Sequence, residues 1–220
     1  MQTRSRILSL ARESGSKQLM RPISETMAGR TFHDHYHFLY DLRTLLGPEK
    51  RVYMEIGVYN GGSLAFMMQH PYETELHGID PLFLPNQVEF TFANIAKFNK
   101  YHRKVEIHQN YSHDPELLRR LRGLPIDLLF VDGDHRGPSV IQDFELYSPM
   151  VNPGGFIAFD DYIDPECSPE VRPSVDLIVQ RMKDHAYAGD YEIIGTLPMS
   201  LRDDPDDPRQ YSTFYVRKIG

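Results

Sequence analysis

The sequence predicts an α/β fold, a mostly parallel sheet with helices packed on its faces. Three observations carry that expectation. From about residue 51, short apolar runs alternate with longer amphipathic segments, as repeated βα units do. One run, Leu128-Leu129-Phe130-Val131, is apolar throughout, as a central strand buried on both faces must be. Glycine-rich turns stand where strands give way to helices, as at Gly61-Gly62-Ser63.

The elements follow in order. Residues 1–47 read as a helical extension or lid, with Ile7, Leu8, Leu10 and Ala11, and then Phe38, Leu39, Leu42, Leu45 and Leu46, at helical spacing. Gly47-Pro48 ends the second helix. Residues 48–220 form the α/β domain. Strands are expected at Val52–Gly57, Glu75–Asp80, Val105–His108, Asp127–Asp132 and Phe156–Asp160. Helices are expected at Gly62–His70, Gln87–Asn99, Pro115–Leu121, Ser139–Tyr147 and Val171–His185. Two closing strands, Glu192–Thr196 and Thr213–Arg217, flank the acidic connection 202–208.

Composition narrows the function classes. With 220 residues the chain fits one domain and a modest extension. A net charge of −7, from 31 acidic and 24 basic residues, argues against a general nucleic-acid binder. No apolar stretch reaches membrane-spanning length, and residues 1–12 have no long apolar core of a secretory signal. The lone Cys167 rules out an internal disulfide, so a cytoplasmic setting is expected. Cys167 lies in the acidic loop 164–169, where carboxylates would raise a thiol pKa and blunt its reactivity.

The first strand ends in Glu55-x-Gly57 and leads through Tyr59 to Gly61-Gly62-Ser63. In an open α/β sheet, ligands sit beyond the carboxyl ends of the strands. Glycines there let the backbone approach a ligand closely. The pattern is not the G-x-G-x-x-G of dinucleotide folds. A carboxylate two residues before the first glycine suits a cationic or hydroxyl-rich ligand better than a pyrophosphate. The second strand ends in Gly78-Ile79-Asp80, an acidic position suited to ribose hydroxyls.

Later strands add carboxylates. Val131-Asp132-Gly133-Asp134-His135 closes the fourth, and Phe159-Asp160-Asp161-Tyr162 the fifth. Adjacent parallel strands bring Asp132, Asp160 and Asp161 to one sheet edge, where three carboxylates repel unless a cation neutralises them. Mg²⁺ or another hard divalent ion meets that need. Such an ion lowers the pKa of a bound hydroxyl. Asp134 and His135 are both candidates for the base.

Glu55, Gly57 and Asp80, in this order, resemble the first two motifs of class I S-adenosylmethionine-dependent methyltransferases, over about residues 50–217. The resemblance implies a Rossmann-like sheet of seven strands in the order 3-2-1-4-5-7-6, its last pair an antiparallel edge. It implies that S-adenosylmethionine lies along Glu55, Gly57, Tyr59, Gly61 and Ser63. Asp80 would meet the ribose, Asn110-Tyr111-Ser112 the adenine side, and Asp132 the boundary between cofactor and cation. Val-Asp-Gly-Asp followed by Asp-Asp-Tyr, with Leu146 and Pro153-Gly154-Gly155 between, resembles the macrocin O-methyltransferase group. That group methylates sugar hydroxyls of natural products. By that resemblance Asp132, Asp160 and Asp161 are metal ligands and Asp134 is the base.

The expected function is therefore metal-dependent methylation of a hydroxyl on a small molecule, with neither nucleic acid nor membrane as partner. A cephalosporin hydroxylase-like relative and a non-catalytic S-adenosylmethionine-binding protein are the competing readings. His33 and His37 stand one helical turn apart without a third ligand, so a structural or lid role is expected, with Tyr36 and His37 near substrate. Tyr162 and Arg172 are expected to line the acceptor pocket. The N-terminal helices offer a surface for self-association.

Overall fold

The computed structural model describes residues 2–29, 36–197 and 213–220. Its sheet has seven strands in the order β3-β2-β1-β4-β5-β7-β6, as the sequence implied. The strands are β1 (Val52–Ile56), β2 (Glu75–Ile79), β3 (Val105–His108), β4 (Ile126–Val131), β5 (Val151–Phe159), β6 (Tyr191–Thr196) and β7 (Phe214–Lys218). The first five are parallel, and β7 pairs antiparallel with both β5 and β6.

Helices cover both faces. α1 (Gln2–Glu13), α2 (Ser16–Thr26), α3 (His37–Leu46) and α4 (Gly62–Met67) lie on one side, together with α5 (Gln87–Phe98). Their apolar residues, among them Ile7, Met20, Ile23, Leu39 and Phe66, share one core with Tyr53, Phe130, Phe156 and Tyr215 of the sheet. The N-terminal helices thus bury the apolar face that a parallel sheet cannot leave to water. On the other side α6 (Pro115–Leu121), α7 (Gly137–Tyr147) and α8 (Val171–Lys183) pack over Met54, Ile56, Leu129, Ile157 and Val216.

Strand β4 is buried along its whole length. Beside it, the buried carboxylate of Asp127 accepts from the Arg51 and Val52 amides at 2.7 and 3.0 Å and from Asn152 Nδ2 at 2.8 Å. One side chain so aligns the starts of β1, β4 and β5.

Most boundaries fall within two residues of the sequence expectation, and three departures have a visible cause. Helix α4 ends at Met67 rather than His70, because Pro71 disfavours helical backbone at the residue before it. Helix α7 begins at Gly137, with Pro138 in its first turn, where a missing N–H costs nothing. Strand β5 begins at Val151, and a register shift between Ile126 and Leu128 absorbs the Pro153-Gly154-Gly155 segment. The acidic connection 202–208 and His33 lie outside the described residues. Among the described residues no helix is long and apolar enough to cross a membrane.

Candidate cofactor and carboxylate site

The carboxyl ends of β1, β2 and β4 open into a cavity of about 710 Å³, lined by Gly57, Tyr59, Ser63, Asp80, Ser112, Asp132, Asp134, His135 and Asp161 among others. That volume suits a cofactor with an acceptor.

Gly57 is dictated by a close approach. Its φ is +90°, and a Cβ there would stand 1.8 Å from the carbonyl oxygen of Asp132. No other residue fits. The Gly57 amide donates to Ile79 O at 2.8 Å, and the Asp132 amide to Ile56 O at 2.8 Å, so β1 exits between its two neighbours. Gly61 also has positive φ and opens α4.

Asp80 holds the turn. Its Oδ2 accepts from the Val58 and Tyr59 amides, each at 2.9 Å. Its Oδ1 accepts from the Leu82 amide at 2.7 Å and from Gln87 Nε2 at 3.0 Å. The position expected to meet a ribose therefore also shapes the backbone around it.

Glu55 is fully buried. Its Oε2 accepts from Tyr53 Oη at 2.6 Å and Ser63 Oγ at 2.7 Å. Its Oε1 is buried and has no hydrogen-bond partner among the described residues. Burial pushes the carboxyl up to about 8, although the two hydroxyl donors pull the other way. A buried acceptor left open is costly. It fits a ligand that brings a donor or a positive charge.

The carboxylates gather at the next strand ends. Val131 of β4 pairs with Phe159 of β5, so Asp132 and Asp160 are adjacent. Burial and the charge of Asp160 both raise Asp132. Asp161 has φ +53°, in the left-handed region, just beyond the end of β5. Ligand atoms of Asp132, His135 and Asp161 all lie within 4.8 Å of one another. His135 stands between the two carboxylates, Nε2 at 3.4 Å from Asp132 and Nδ1 at 3.4 Å from Asp161. The hydrogen bond to Asp132 is the chief cause that raises the imidazole to about 9. The two carboxylates suit a hard divalent cation, with the His135 imidazole beside them as a proton-carrying group.

The sequence placed Asp160 in this trio and His135 beside it. Asp160 is instead buried, accepting from Thr213 Oγ1 at 2.9 Å, and His135 takes the third place in the grouping. Asp134, the other candidate base, is held by Arg136 and by Ser139 Oγ at 2.7 Å. The Arg136 bond, foremost, holds its carboxyl down at about 2. Such an acid is a weak proton acceptor near neutral pH.

Tyr36 lines the cavity and meets Phe130 edge-on at 6.1 Å. Burial raises its phenol well above the usual value, and the charges of Asp132, Asp160, Glu55 and Asp161 add to that. His37 does not line the cavity; it pairs with Asp41 at 3.3 Å in the interior. Tyr162 and Arg172 do not line it either. Tyr162 Oη donates to Asp176 at 2.7 Å, and the Arg172 guanidinium lies over the Tyr162 ring at 5.7 Å. Cys167 is exposed, its thiol raised first by Asp164.

Two groups escaped the sequence reading, Asp143 on the cavity wall and Ser168 behind His135 and Asp161. Asp143 of α7 is buried, accepts from Ser112 Oγ at 2.5 Å, and is pushed up to about 6 by burial. Ser168 Oγ lies 2.7 Å from His135 Nδ1 and donates to Asp161 at 3.2 Å. Asp143 shares α7 with apolar residues at helical spacing, and Ser168 sits in a proline-rich loop, so neither carried a signal.

A family model described as a methyltransferase domain matches residues 54–162. Uncharacterized protein R132 of Acanthamoeba polyphaga mimivirus is 43% identical over 184 residues, 82% of this chain and 83% of that protein. The chain belongs to the methyltransferase-domain family. Two solved structures share the fold of this chain. TomG, an O-methyltransferase from Streptomyces achromogenes involved in tomaymycin synthesis and solved with S-adenosylmethionine, is 18% identical. Its TM-score is 0.62, with 94% of this chain and 89% of that chain covered. CalS11, a TDP-rhamnose 3′-O-methyltransferase of calicheamicin biosynthesis, is 17% identical. Its TM-score is 0.56, with 94% of each chain covered.

Proposed function

We propose that this methyltransferase acts on a hydroxyl of a small molecule and that its carboxylates hold a divalent cation beside the transferred methyl group. The observation that carries the reading is the meeting of Asp132, His135 and Asp161 within 4.8 Å, on a cavity whose other wall is the Gly57–Ser63 turn. Asp132 and Asp161, with Asp160 behind them, would hold Mg²⁺ or a similar ion. When bound, that ion supplies positive charge that lowers the pKa of an acceptor hydroxyl.

The protein's own groups do the rest. Gly57, Tyr59 and Ser63 would line the cofactor's methionine part, with Gly61 in the same turn; Glu55, buried just behind that wall, would balance the positive charge, and Asp80 would face the ribose. Ser112 and Asp143 close the adenine side. Of the two candidate bases, His135 is the better placed to take the hydroxyl proton, because Asp134 is bound to Arg136 and Ser139. The carboxylates that keep His135 protonated have less hold on it once a cation neutralises them. Placement then leaves the acceptor oxygen in line with the methyl group.

A sugar or glycosylated natural product is the proposed acceptor class, supported by the Val-Asp-Gly-Asp and Asp-Asp-Tyr motifs. The test is methyl transfer from labelled S-adenosylmethionine to a panel of glycosides and phenols, with Mg²⁺ and with EDTA. Turnover lost in EDTA and restored by Mg²⁺ is expected. Full turnover in EDTA would refute the cation, and tight cofactor binding without transfer to any hydroxyl would refute the activity.

A further inference from the structure

A second cluster of ligating side chains lies outside the cofactor cavity, on the edge pair β2 and β3. His77 pairs in register with Glu106, and Ile79 with His108, so His77, Glu106 and His108 share one face of the sheet. Ligand atoms of these three lie within 4.8 Å of one another. His77 Nδ1 is 3.1 Å from His108 Nε2 and 3.9 Å from Glu106 Oε2. The two imidazoles are stacked, 6° from parallel. None of the three lines the cavity described above.

We propose that His77, His108 and Glu106 form a separate site for Zn²⁺, or an ion of like preference, which ties edge strand β3 to β2. Three features support it. Two imidazoles and a carboxylate are the donor set such ions take, with water as the fourth ligand. With Zn–N bonds of about 2.0–2.1 Å, a tetrahedral site sets two nitrogens about 3.3 Å apart. The observed 3.1 Å is a few tenths short of that. Finally, His77 Nε2 pairs with Glu75 Oε1 at 2.9 Å. A carboxylate behind a histidine fixes its tautomer and leaves the other nitrogen bare for a metal. That bare Nδ1 is the atom facing His108 and Glu106.

With Nδ1 of His77 bare, His108 Nε2 carries the hydrogen between the two rings. Metal binding moves that hydrogen to Nδ1 of His108. Burial, then His77, lowers the pKa of His108, so neither imidazole has to shed a full charge. The competitor is Lys104, whose half-exposed ammonium bridges Glu75 at 2.6 Å and Glu106 at 2.8 Å. Its long stem lets it swing into solvent.

The test is titration of tag-free protein with Zn²⁺ alone, in an Asp132→Asn/Asp161→Asn background that removes the carboxylates of the cavity. One Zn²⁺ per chain at micromolar affinity or better is expected, together with a Zn²⁺-dependent rise in Tm. In that background His108→Gln or Glu106→Gln should abolish both effects, with far-ultraviolet circular dichroism unchanged. Glu75→Gln should weaken binding about 10–100-fold. Lys104→Gln should tighten it, which loss of a merely structural contact would not do. No stoichiometric Zn²⁺ in the background variant, or binding indifferent to His108→Gln, would overturn the proposal.

Discussion

Replacing Glu55 with Gln tests the cofactor turn at its most exposed assumption. Burial raises the folded carboxyl to about 8, from an ordinary 4.5. A carboxyl raised on folding favours the native state at low pH, and that support is lost as pH rises from 4.5 through 8. At pH 7 the chain has passed about 2.5 pH units above the unfolded value. At about 1.36 kcal/mol per unit, holding Glu55 in the core costs on the order of 3 kcal/mol. Gln keeps an acceptor for Tyr53 and Ser63 and sheds that penalty. Glu55→Gln should therefore stabilise the cofactor-free protein at pH 7 by up to about 3 kcal/mol, in urea denaturation, and the gain should vanish at pH 4.5. Binding is expected to go the other way. A cationic ligand at Oε1 must ionise Glu55, so native protein should release close to one proton per S-adenosylmethionine at pH 7. Calorimetry in two buffers of different protonation enthalpy reads that release directly. Loss of a charge-assisted contact should weaken the variant about 10–100-fold. Buffer-independent enthalpy in native protein, with equal affinity in the variant, would refute the assignment of Glu55 to the cofactor's charge.

Gly57→Ala forces a Cβ to 1.8 Å from Asp132 O at φ +90°, so a loss of about 3 kcal/mol or more is expected in chemical denaturation. Asp161→Asn should lower turnover by at least about 100-fold at fixed Mg²⁺ and raise the Mg²⁺ concentration needed for half activity; an unchanged Mg²⁺ dependence would count against the cation site. If His135 carries the proton, His135→Gln should cost about 10²–10⁴ in kcat, and Asp134→Asn much less. His70 is buried and lowered to about 3, chiefly by desolvation and then by Arg43. Its contribution is complete above about pH 6.5 and is lost as pH falls toward 3, so stability should drop by about 2 kcal/mol from pH 7 to pH 5 through this group. His70→Asn should flatten that part of the curve.

The fold was legible because its signals are local and redundant. An apolar run such as Leu128–Val131, between turn signals, suits a doubly buried strand, and the glycine turn marks where β1 must leave the sheet. The strand order came from family resemblance, since periodicity says nothing of which strands are neighbours. The placement of candidate residues was legible wherever a strand end fixed it, as for Glu55, Asp80 and Asp132. It was not legible where contact depends on rotation after the strand has ended. Asp160 and Asp161 are neighbours in sequence, yet one turns inward to Thr213 and the other, through a left-handed backbone, outward to His135. Asp134 and His135 divide in the same way, because Arg136 reaches back to capture the first. Tyr162 and Arg172 were expected at the cavity for their place beside β5, but Asp176, one turn along α8, draws both away.

The two halves of the site are mechanically one piece. Gly57 begins the cofactor turn, and the backbone of Asp132 fills the space its missing side chain leaves. The Asp132 amide bonds Ile56, immediately before that glycine. A displacement of the turn must therefore move the first carboxylate, and the reverse holds. Asp80 fixes the turn from the other side through the Val58 and Tyr59 amides. Asp80→Asn can keep only part of that clamp, since an amide oxygen can replace one carboxylate oxygen but not both. It should therefore weaken S-adenosylmethionine and also shift the Mg²⁺ dependence of turnover, though Asp80 is not among the grouped ligands. A change in cofactor affinity with an unaltered Mg²⁺ profile would show that the turn and the carboxylates move independently.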